Sequence, residues 1–198
     1  EAQQAVLAMH RIRQQLVKFR TVQINALRGL LTEDGEVMPQ GRSSIAKRLP
    51  DILANLVDRL PTALIDTLRE QFARVGRLDE EVVEIERRLR DWYRQDDACR
   101  RLAEVPGVGL LTATAVVAAV GDAKTFKSGR EFAAWLGLVP RQTGTGGRVK
   151  LLGISKRGDT YLRTLLIHGA RSVLTHSKSP PAWVIKLVRR RPINVAIV

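Results

Sequence analysis

The amino-acid sequence predicts a mainly α-helical protein, on two observations. Aromatic residues make up only 5% of the chain although apolar residues make up 44%, so Leu, Val and Ala supply most of the apolar content. Sheets favour aromatic and β-branched residues, whereas Ala and Leu favour helices. Apolar positions in the first half also recur at steps of three and four, as on one face of a helix. The apolar content excludes a wholly disordered chain.

The first half predicts a series of helices. We expect residues 1–32 to form one helix, because apolar positions recur there from Val6 to Leu31. Two shorter helices should follow, one from about Ser44 to Leu49 and one from about Asp51 to Leu60. Pro50 is expected to separate them, since proline removes a helical hydrogen bond, and Asp51 can cap the second helix.

The clearest periodic pattern runs through residues 62–95. It predicts a long helix with a narrow apolar stripe between charged flanks, suited to a coiled coil or a helical hairpin. Packing within one chain and a dimer seam, which would make a homo-oligomer, both remain open. We interpret residues 1–98 as a helical and coiled-coil connector. The stripe consists of Val75, Leu78, Val82, Ile85, Leu89 and Trp92.

The positive charge is concentrated in the second half. Residues 1–100 hold 17 Lys+Arg and 16 Asp+Glu, whereas residues 101–198 hold 16 Lys+Arg and 4 Asp+Glu, a net charge of +12. Such a region repels itself unless a polyanion neutralises it, so it predicts a nucleic-acid partner. The alternatives are a basic protein without a polyanion partner and a membrane-surface helix; the charges are spread over loops and helices, which disfavours the second. We interpret residues 99–198 as a compact, basic, DNA-binding domain.

Residues 100–120 predict two helices joined by a glycine bend. One helix should end at Pro106, and an alanine-rich helix should begin near Leu111. The pattern is typical of a helix-hairpin-helix, in which glycines and a helix N-terminus expose backbone N–H groups to a phosphate. The alternative is an ordinary turn between helices. The predicted DNA contacts are Gly107, Val108, Gly109 and Thr112.

Residues 142–159 predict a glycine-rich basic loop, in which glycines and hydroxyl side chains alternate beside cations. Such a loop can bring N–H groups and a hydroxyl to a phosphodiester; the alternative is a flexible, solvated hairpin. A helix from Ser128 to Leu136, with Ser128 and Glu131 as a capping box, precedes it, and a helix from about Asp159 to Val173 follows it. The predicted DNA contacts here are Arg141, Gly146, Gly147, Arg148, Lys150, Lys156, Arg157 and Arg163.

We predict no metal site and no cofactor in this chain. None of the three histidines has metal-ligand spacing, and His168, in an apolar helix, is expected to be a packed core residue. The four acidic residues of 101–198 form no cluster that could hold two metal ions. The single cysteine, Cys99, fits a reducing cytosol. No apolar run approaches the ~20 residues that span a bilayer, so we expect no membrane partner.

Several runs together resemble the C-terminal transposase domain of the insertion-sequence 110 family. The resemblance is dense over about residues 100–178, and residues 1–98 are similar to the connector that precedes this domain. The runs that carry it are Val105-Pro106-Gly107-Val108-Gly109, Ala133-Ala134-Trp135-Leu136-Gly137-Leu138-Val139-Pro140-Arg141-Gln142, Gly146-Gly147, Leu152-Gly153-Ile154-Ser155-Lys156-Arg157-Gly158-Asp159 and Tyr161-Leu162-Arg163.

The resemblance implies a function. Members of the insertion-sequence 110 family are DEDD-type transposases related to the Piv DNA invertase, and they are guided by a bridge RNA. In these proteins an N-terminal RuvC-like domain binds Mg²⁺ through four acidic residues. No sequence here resembles that domain, so we expect a fragment that lacks it, from a bacterial or archaeal cytoplasmic protein. The family cleaves DNA through a serine, forming a 5′-phosphoserine link. The matching position is Thr145, whose methyl group crowds the attack; Ser155 is the alternative, and the chain can also lack a competent nucleophile.

Three hypotheses about function follow. The first is the DNA-binding and strand-exchange part of a transposase, inactive without its acidic domain. The second is a non-catalytic helix-hairpin-helix module that binds nucleic acid. The third is a helical assembly protein whose basic half docks on an acidic protein.

Overall fold

The computed structural model describes residues 1–198 and confirms a mainly α-helical fold. Nine helices are joined by short loops, with one turn of 3₁₀ helix at Ala123–Thr125 and one antiparallel pair of strands. The elements are α1 Ala2–Glu33, α2 Arg42–Leu56, α3 Thr62–Gln95, α4 Asp97–Leu102, α5 Leu110–Val120, α6 Gly129–Trp135, β1 Pro140–Thr143, β2 Lys150–Ile154, α7 Thr160–His176, α8 Ala182–Arg190 and α9 Ile193–Ile197.

The chain divides into two compact units. Residues 9–88 form the first, which we call the helical-hairpin unit. Residues 1–8 and 89–198 form the second, which we call the basic unit. The assignment of residues 1–98 to a connector and 99–198 to a DNA-binding domain is a functional division, and it stays a prediction.

In the helical-hairpin unit, α1 and α3 run antiparallel and are joined by polar side chains. Arg13 Nε donates to Glu86 Oε1 at 2.8 Å, and Arg20 Nη1 donates to Asp79 Oδ1 at 2.5 Å. Further along, Gln23 Nε2 donates to Gln71 Oε1 at 2.9 Å. These pairs fix the register of the two helices. The helices predicted over residues 1–32 and 62–95 are therefore confirmed.

The predicted apolar stripe of α3 packs within one chain. Val75, Leu78 and Val82 are at most 8% exposed in the helical-hairpin unit, and Leu89, in the basic unit, is fully buried. Since the chain itself covers these side chains, the stripe no longer argues for an oligomer. A homo-oligomer through residues 62–95 stays a prediction without that support.

The predicted break at Pro50 is wrong, because α2 continues through it. Neither Pro50 nor Asp51 ends or caps a helix here. Proline costs a helix interior about 3 kcal/mol. The compensation lies in the buried face of α2, where Ile45, Leu49, Leu53 and Leu56 recur at steps of four, four and three in the main core. Each fully buried aliphatic side chain contributes roughly 1.5–3 kcal/mol to stability, so the burial of this face more than offsets the cost of the proline.

The basic unit has its own core, built by α4, α5, α6 and α7. Its fully buried members are Ala115, Leu136 and Leu162, with Val116 nearly so. The predicted N-cap of α6 is confirmed, since Ser128 Oγ accepts from the Glu131 N–H at 3.3 Å. Glu131 Oε2 accepts from the Lys127 N–H at 2.6 Å, one residue before the N–H that a capping box uses. This core holds the glycine bend and the basic loop at its surface. None of the helices is long and apolar enough to span a bilayer.

Candidate nucleic-acid interface

The basic loop predicted over residues 142–159 is built as a β-hairpin. Strands β1 and β2 pair with Pro140 opposite Ile154 and Thr143 opposite Lys150, with an irregularity between Pro140 and Gln142. Residues 140–153 are all exposed. The structure is thus an exposed hairpin, and whether it brings N–H groups and a hydroxyl to a phosphodiester stays a prediction. The strands themselves were not predicted, because Pro-Arg-Gln-Thr and Lys-Leu-Leu-Gly-Ile show neither β-branched enrichment nor alternation.

A tight turn closes this hairpin. The Arg148 N–H donates to the Thr145 carbonyl at 3.3 Å, and the two residues between them, Gly146 and Gly147, have φ of +60° and +77°. Positive φ at both central positions defines a type I′ turn, which glycine adopts without steric cost. The backbone also crosses itself closely at Gly144, where a Cβ would lie 2.0 Å from the Arg148 carbonyl oxygen. The glycines of this segment are therefore explained by the geometry of the turn, without any need for a bound phosphate.

Thr145 begins this turn and is exposed. The side chains of Arg141, Arg148 and Lys150 are exposed on the same hairpin. The alternative hydroxyl, Ser155, is only half-buried and lies just beyond the far end of β2, where its N–H donates to the Val139 carbonyl at 2.8 Å. A strand rises about 3.3 Å per residue, so the five-residue β2 separates the two hydroxyls by roughly 15 Å. They cannot share one phosphodiester.

The turn after β2 presents two of the predicted cations and buries the third. Lys156 and Arg157 are exposed, and Lys156 takes a φ of +57° while its N–H donates to the Gly137 carbonyl at 3.0 Å. Arg163 is 7% exposed. Its guanidinium donates to the carbonyls of Leu136 at 2.9 Å and Gly158 at 3.3 Å. Its donors therefore hold the backbone at the base of the hairpin, and the contact of Arg163 with DNA stays a prediction without support from the structure.

The glycine bend between α4 and α5 is partly used for packing. Gly107 has a φ of +87°, and its carbonyl oxygen lies 1.9 Å from where a Cβ on Gly169 of α7 would stand. This contact seats the bend on α7. The first helix ends at Leu102 rather than at Pro106, since residues 103–109 form turns in which the Val108 N–H donates to the Val105 carbonyl at 2.9 Å.

The remaining predicted DNA contacts, Val108, Gly109 and Thr112, lie at or near the N-terminus of α5. Gly109 is the N-cap, is exposed, and supplies no side-chain cap, so N–H groups of the first turn are available to an anion. Val108, like Gly107, is half-buried. Thr112 is 6% exposed on the packed side of α5, so its side chain offers little surface to a ligand, and its contact with DNA stays a prediction. The bend offers backbone N–H groups rather than side chains.

The cations of residues 101–198 have almost no partners within the chain. None of the ion pairs in the structure involves these residues. Arg163 is the only one of the 16 lysines and arginines whose side chain donates hydrogen bonds to the protein. Unpaired positive charges attract a polyanion, and binding is favoured because it releases the counterions that the polyanion had condensed. The surface is thus suited to a phosphate backbone.

The structure assembles no carboxylate or histidine cluster. No group of three or more His, Cys, Asp or Glu side chains could hold a metal ion, so the residues present do not fit a magnesium site. His168 is exposed on α7, and the prediction that it packs in the core is wrong. Cys99 is fully buried. Burial, then the charge and hydrogen bond of Asp96, raise the pKa of its thiol to about 12, so it is no nucleophile at neutral pH.

One exposed aromatic side chain was not predicted from the sequence. Trp183, near the start of α8, is 62% exposed. A signal was present, since Trp183 precedes Lys186 and three consecutive arginines without lying on an extended apolar stripe. Trp183 belongs neither to the hairpin nor to the bend between α4 and α5.

Known proteins resemble this chain over nearly its whole length. Residues 99–183 match the family described as Transposase IS116/IS110/IS902. A protein of Pseudomonas aeruginosa named "Probable family 20 transposase" is 45% identical over 99% of the chain, which covers 60% of that protein. The transposase for insertion sequence element IS1111A of Coxiella burnetii is 42% identical over 99% of the chain and 55% of its own length.

A third relative gives the same result over a shorter stretch. The transposase for insertion sequence element IS1328 of Yersinia enterocolitica is 42% identical over 86% of the chain and 50% of its own length. The chain thus spans between half and three-fifths of the length of these three relatives. Within the basic unit, the stretch that is similar to the IS116/IS110/IS902 transposase family, residues 99–183, includes the exposed hairpin.

Proposed function

We propose that this chain is the DNA-binding and strand-exchange part of a transposase. The observation that carries the proposal is the position of Thr145: an exposed hydroxyl on a type I′ turn, on a hairpin whose cations have no partner in the chain, inside the segment that matches the transposase family. The hairpin side chains of Arg141, Arg148 and Lys150 would bind phosphates. The N–H groups at Gly109 would add a second, backbone-only contact.

The chemistry follows from the proposed nucleophile. Thr145 Oγ attacks a phosphodiester phosphorus, a bond forms between Oγ and phosphorus, and the bond from phosphorus to O3′ breaks. O3′ leaves as a 3′-hydroxyl after taking up a proton, and the DNA 5′-phosphate stays on Thr145. Negative charge on the non-bridging oxygens is offset by Arg148 and Lys150. This chain offers no carboxylate cluster beside Thr145, so the group that accepts the hydroxyl proton would come from another domain.

Two finer features belong to the same proposal. Bound guide RNA would select the DNA, as the family resemblance implies, and the basic unit supplies cations for it. The turn between α4 and α5 would act as a helix-hairpin-helix on the sugar-phosphate backbone. The non-catalytic alternative accounts for that turn and for the charge, but not for the exposed hydroxyl on a tight turn or for relatives named as transposases.

Duplex binding by the chain itself tests the phosphate contacts. Fluorescence anisotropy with labelled duplex DNA is measured from low to moderate salt for the wild type and for Arg148→Gln with Lys150→Gln. We expect the slope of log affinity against log salt to shrink by about 1.8, since each neutralised phosphate contributes about 0.9. The matched control is Arg87→Gln with Arg88→Gln, which removes the same charge from arginines paired with Glu84. Equal slopes for both double variants would contradict the proposed interface.

Covalent trapping tests the nucleophile. The protein expressed from the complete reading frame should form an adduct with DNA that survives denaturation. Thr145→Ala should abolish it, and Thr145→Ser should keep or increase it, because serine lacks the crowding methyl group. Thr143→Ala, on the adjacent exposed strand, is the control, and Ser155→Ala tests the second hydroxyl. An adduct that persists in Thr145→Ala removes Thr145 from the mechanism.

A further inference from the structure

Helix α8 is fixed to the basic unit by one face only. Val184 is 6% exposed, and Leu187 and Val188 are half-buried. With Val184 and Trp183 they line a small pocket whose other wall includes Ala170 and Val173 of α7. The apolar residues of α8 are thus mostly used in seating the helix on its own unit.

The exposed face of α8 that borders this pocket combines an indole with cations. Trp183, Lys186 and Arg190 are spaced three and four residues apart, so they lie along one face, and all three are exposed. With a rise of 1.5 Å per residue they span about 10 Å. One short stretch of a bound strand can contact all three. Arg189 and Arg191 are exposed beside them.

Nothing in the surrounding chain neutralises this face. Residues 160–198 contain seven lysines and arginines and no acidic residue, and none of them forms an ion pair. Arginines in the last turn of a helix interact favourably with its dipole, which accounts for Arg189 and Arg190. That explanation does not extend to Lys186 in the middle of the helix or to Trp183 at its start.

We propose that α8 binds single-stranded nucleic acid, with Trp183 stacking on a base and Lys186 and Arg190 contacting phosphates. An exposed aromatic ring among cations is the arrangement that holds unpaired strands, since stacking requires a base that is not already stacked in a duplex. The proposal is independent of Thr145 and the hairpin. The family match ends at residue 183, so seven of the nine residues of α8 lie beyond it.

A membrane surface is the competing partner for a basic helix that carries a tryptophan. Binding to lipid needs a broad apolar face directed outward. In α8 that face is turned inward at Val184, and only Trp183 and Ile185 remain as exposed apolar side chains. Charge complementarity, together with a single indole that is 62% exposed at the edge of the pocket, therefore favours a strand of nucleic acid.

The experiment compares variants of the complete chain by anisotropy with labelled oligothymidylate, which forms no duplex. Trp183→Ala should weaken binding about tenfold, the size of one lost base–aromatic stack, while leaving the salt slope unchanged. Trp183→Phe should restore most of the affinity. Lys186→Gln with Arg190→Gln should instead reduce the salt slope by about 1.4, or about 0.7 for each phosphate on a single strand. Ile185→Ala, a neighbouring exposed position, is the control and should change neither quantity.

Three results would overturn the proposal: wild-type affinity in Trp183→Ala, no rescue by phenylalanine, or Trp183-dependent binding to phosphatidylserine vesicles without binding to the oligonucleotide. Helical circular dichroism checks that each variant is folded. Duplex binding through Arg148 and Lys150 is measured in parallel and should not respond to Trp183→Ala. A failure at α8 is thereby separated from a failure of the proposed transposase interface.

Discussion

The two units use their charged side chains in opposite ways. In the helical-hairpin unit, arginines of α1 bond to carboxylates of α3, as Arg13 does to Glu86 and Arg20 to Asp79. In the basic unit the ion pairs, Arg94 with Asp91 and Arg100 with Asp97, lie within residues 89–100, and no lysine or arginine of residues 101–198 forms one. Charges that are matched within a fold leave little field outside it, whereas unmatched charges of one sign act on whatever approaches. The comparison indicates that the first unit uses charge for its own register and the second offers it to a polyanion.

The largest expected effect tests whether the stripe of α3 belongs to the fold. Val82→Asp places a carboxylate at a position 5% exposed and should lower the free energy of unfolding by about 4 kcal/mol. Val83→Asp, one residue on and 64% exposed, is the matched control and should change it by less than about 0.5 kcal/mol. Urea denaturation measures both. If light scattering instead shows an oligomer that Val82→Asp dissociates without loss of stability, the stripe is an interface between chains.

A second comparison uses glycines inside helices, one from each unit. A Cβ on Gly169 of α7 would lie 1.9 Å from the Gly107 carbonyl oxygen, whereas a Cβ on Gly76 of α3 meets nothing within 4 Å. Gly169→Ala should therefore destabilise the basic unit by about 3 kcal/mol, as the bend is forced off α7. Gly76→Ala should stabilise its helix by about 0.5–1 kcal/mol. Thermal unfolding of the two variants checks the signs; equal effects would mean that the bend is not held by this contact.

The sequence was sufficient for those elements whose signal is local. The spacing of α1 and α3 and the N-cap at Ser128 each depend on residues close in sequence, and all three are confirmed. Pro50 shows where local reasoning failed, since the burial of Leu49 and Leu53 depends on α3 and the core and outweighs a local penalty.

The candidate site was predictable in outline only. The glycines and cations of the hairpin could be identified from composition, but which side chains face inward depends on tertiary packing. In the sequence, Arg163 is one more cation in a basic stretch. In the structure its guanidinium donates to the carbonyls of Leu136, which is 27 residues away, and of Gly158, which is 5 residues away. Thr112 lies in an alanine-rich helix that is buried on most of its faces. A polar hydroxyl side chain in the sequence does not predict that burial.

The buried position of Arg163 gives the next prediction. Arg163→Met removes the donors that satisfy the Leu136 and Gly158 carbonyls, and we expect a loss of about 2 kcal/mol in the free energy of unfolding. Arg171→Met, an exposed position on the same helix, should cost less than about 0.5 kcal/mol. The salt slope of duplex binding should be unchanged in Arg163→Met. A reduced slope with unchanged stability would return Arg163 to the DNA-binding surface and weaken the contrast between the units.

The smallest expected effect concerns the one histidine that the helical-hairpin unit buries. His10 is 1% exposed, and burial, assisted by the charge of Arg13, lowers its pKa from 6.5 to about 4. Because the unfolded chain binds the proton more tightly than the folded chain, stability is complete above pH 6.5 and falls as the pH decreases towards 4. We expect a loss of about 2 kcal/mol over that range.

Denaturation at a series of pH values, with His10→Gln as the control, isolates this group. Glu84 does not interfere in the upper part of the range, because its hydrogen bonds to Arg87 and Arg88 lower its pKa from 4.5 to about 2, and its contribution is lost only below its ordinary pKa. The glutamine variant should show a flat profile between pH 6.5 and 4.5. If the wild type is equally flat, His10 accepts its proton in the folded state. The helical-hairpin unit would then tolerate a buried charge, and the contrast with the basic unit would rest on ion pairs alone.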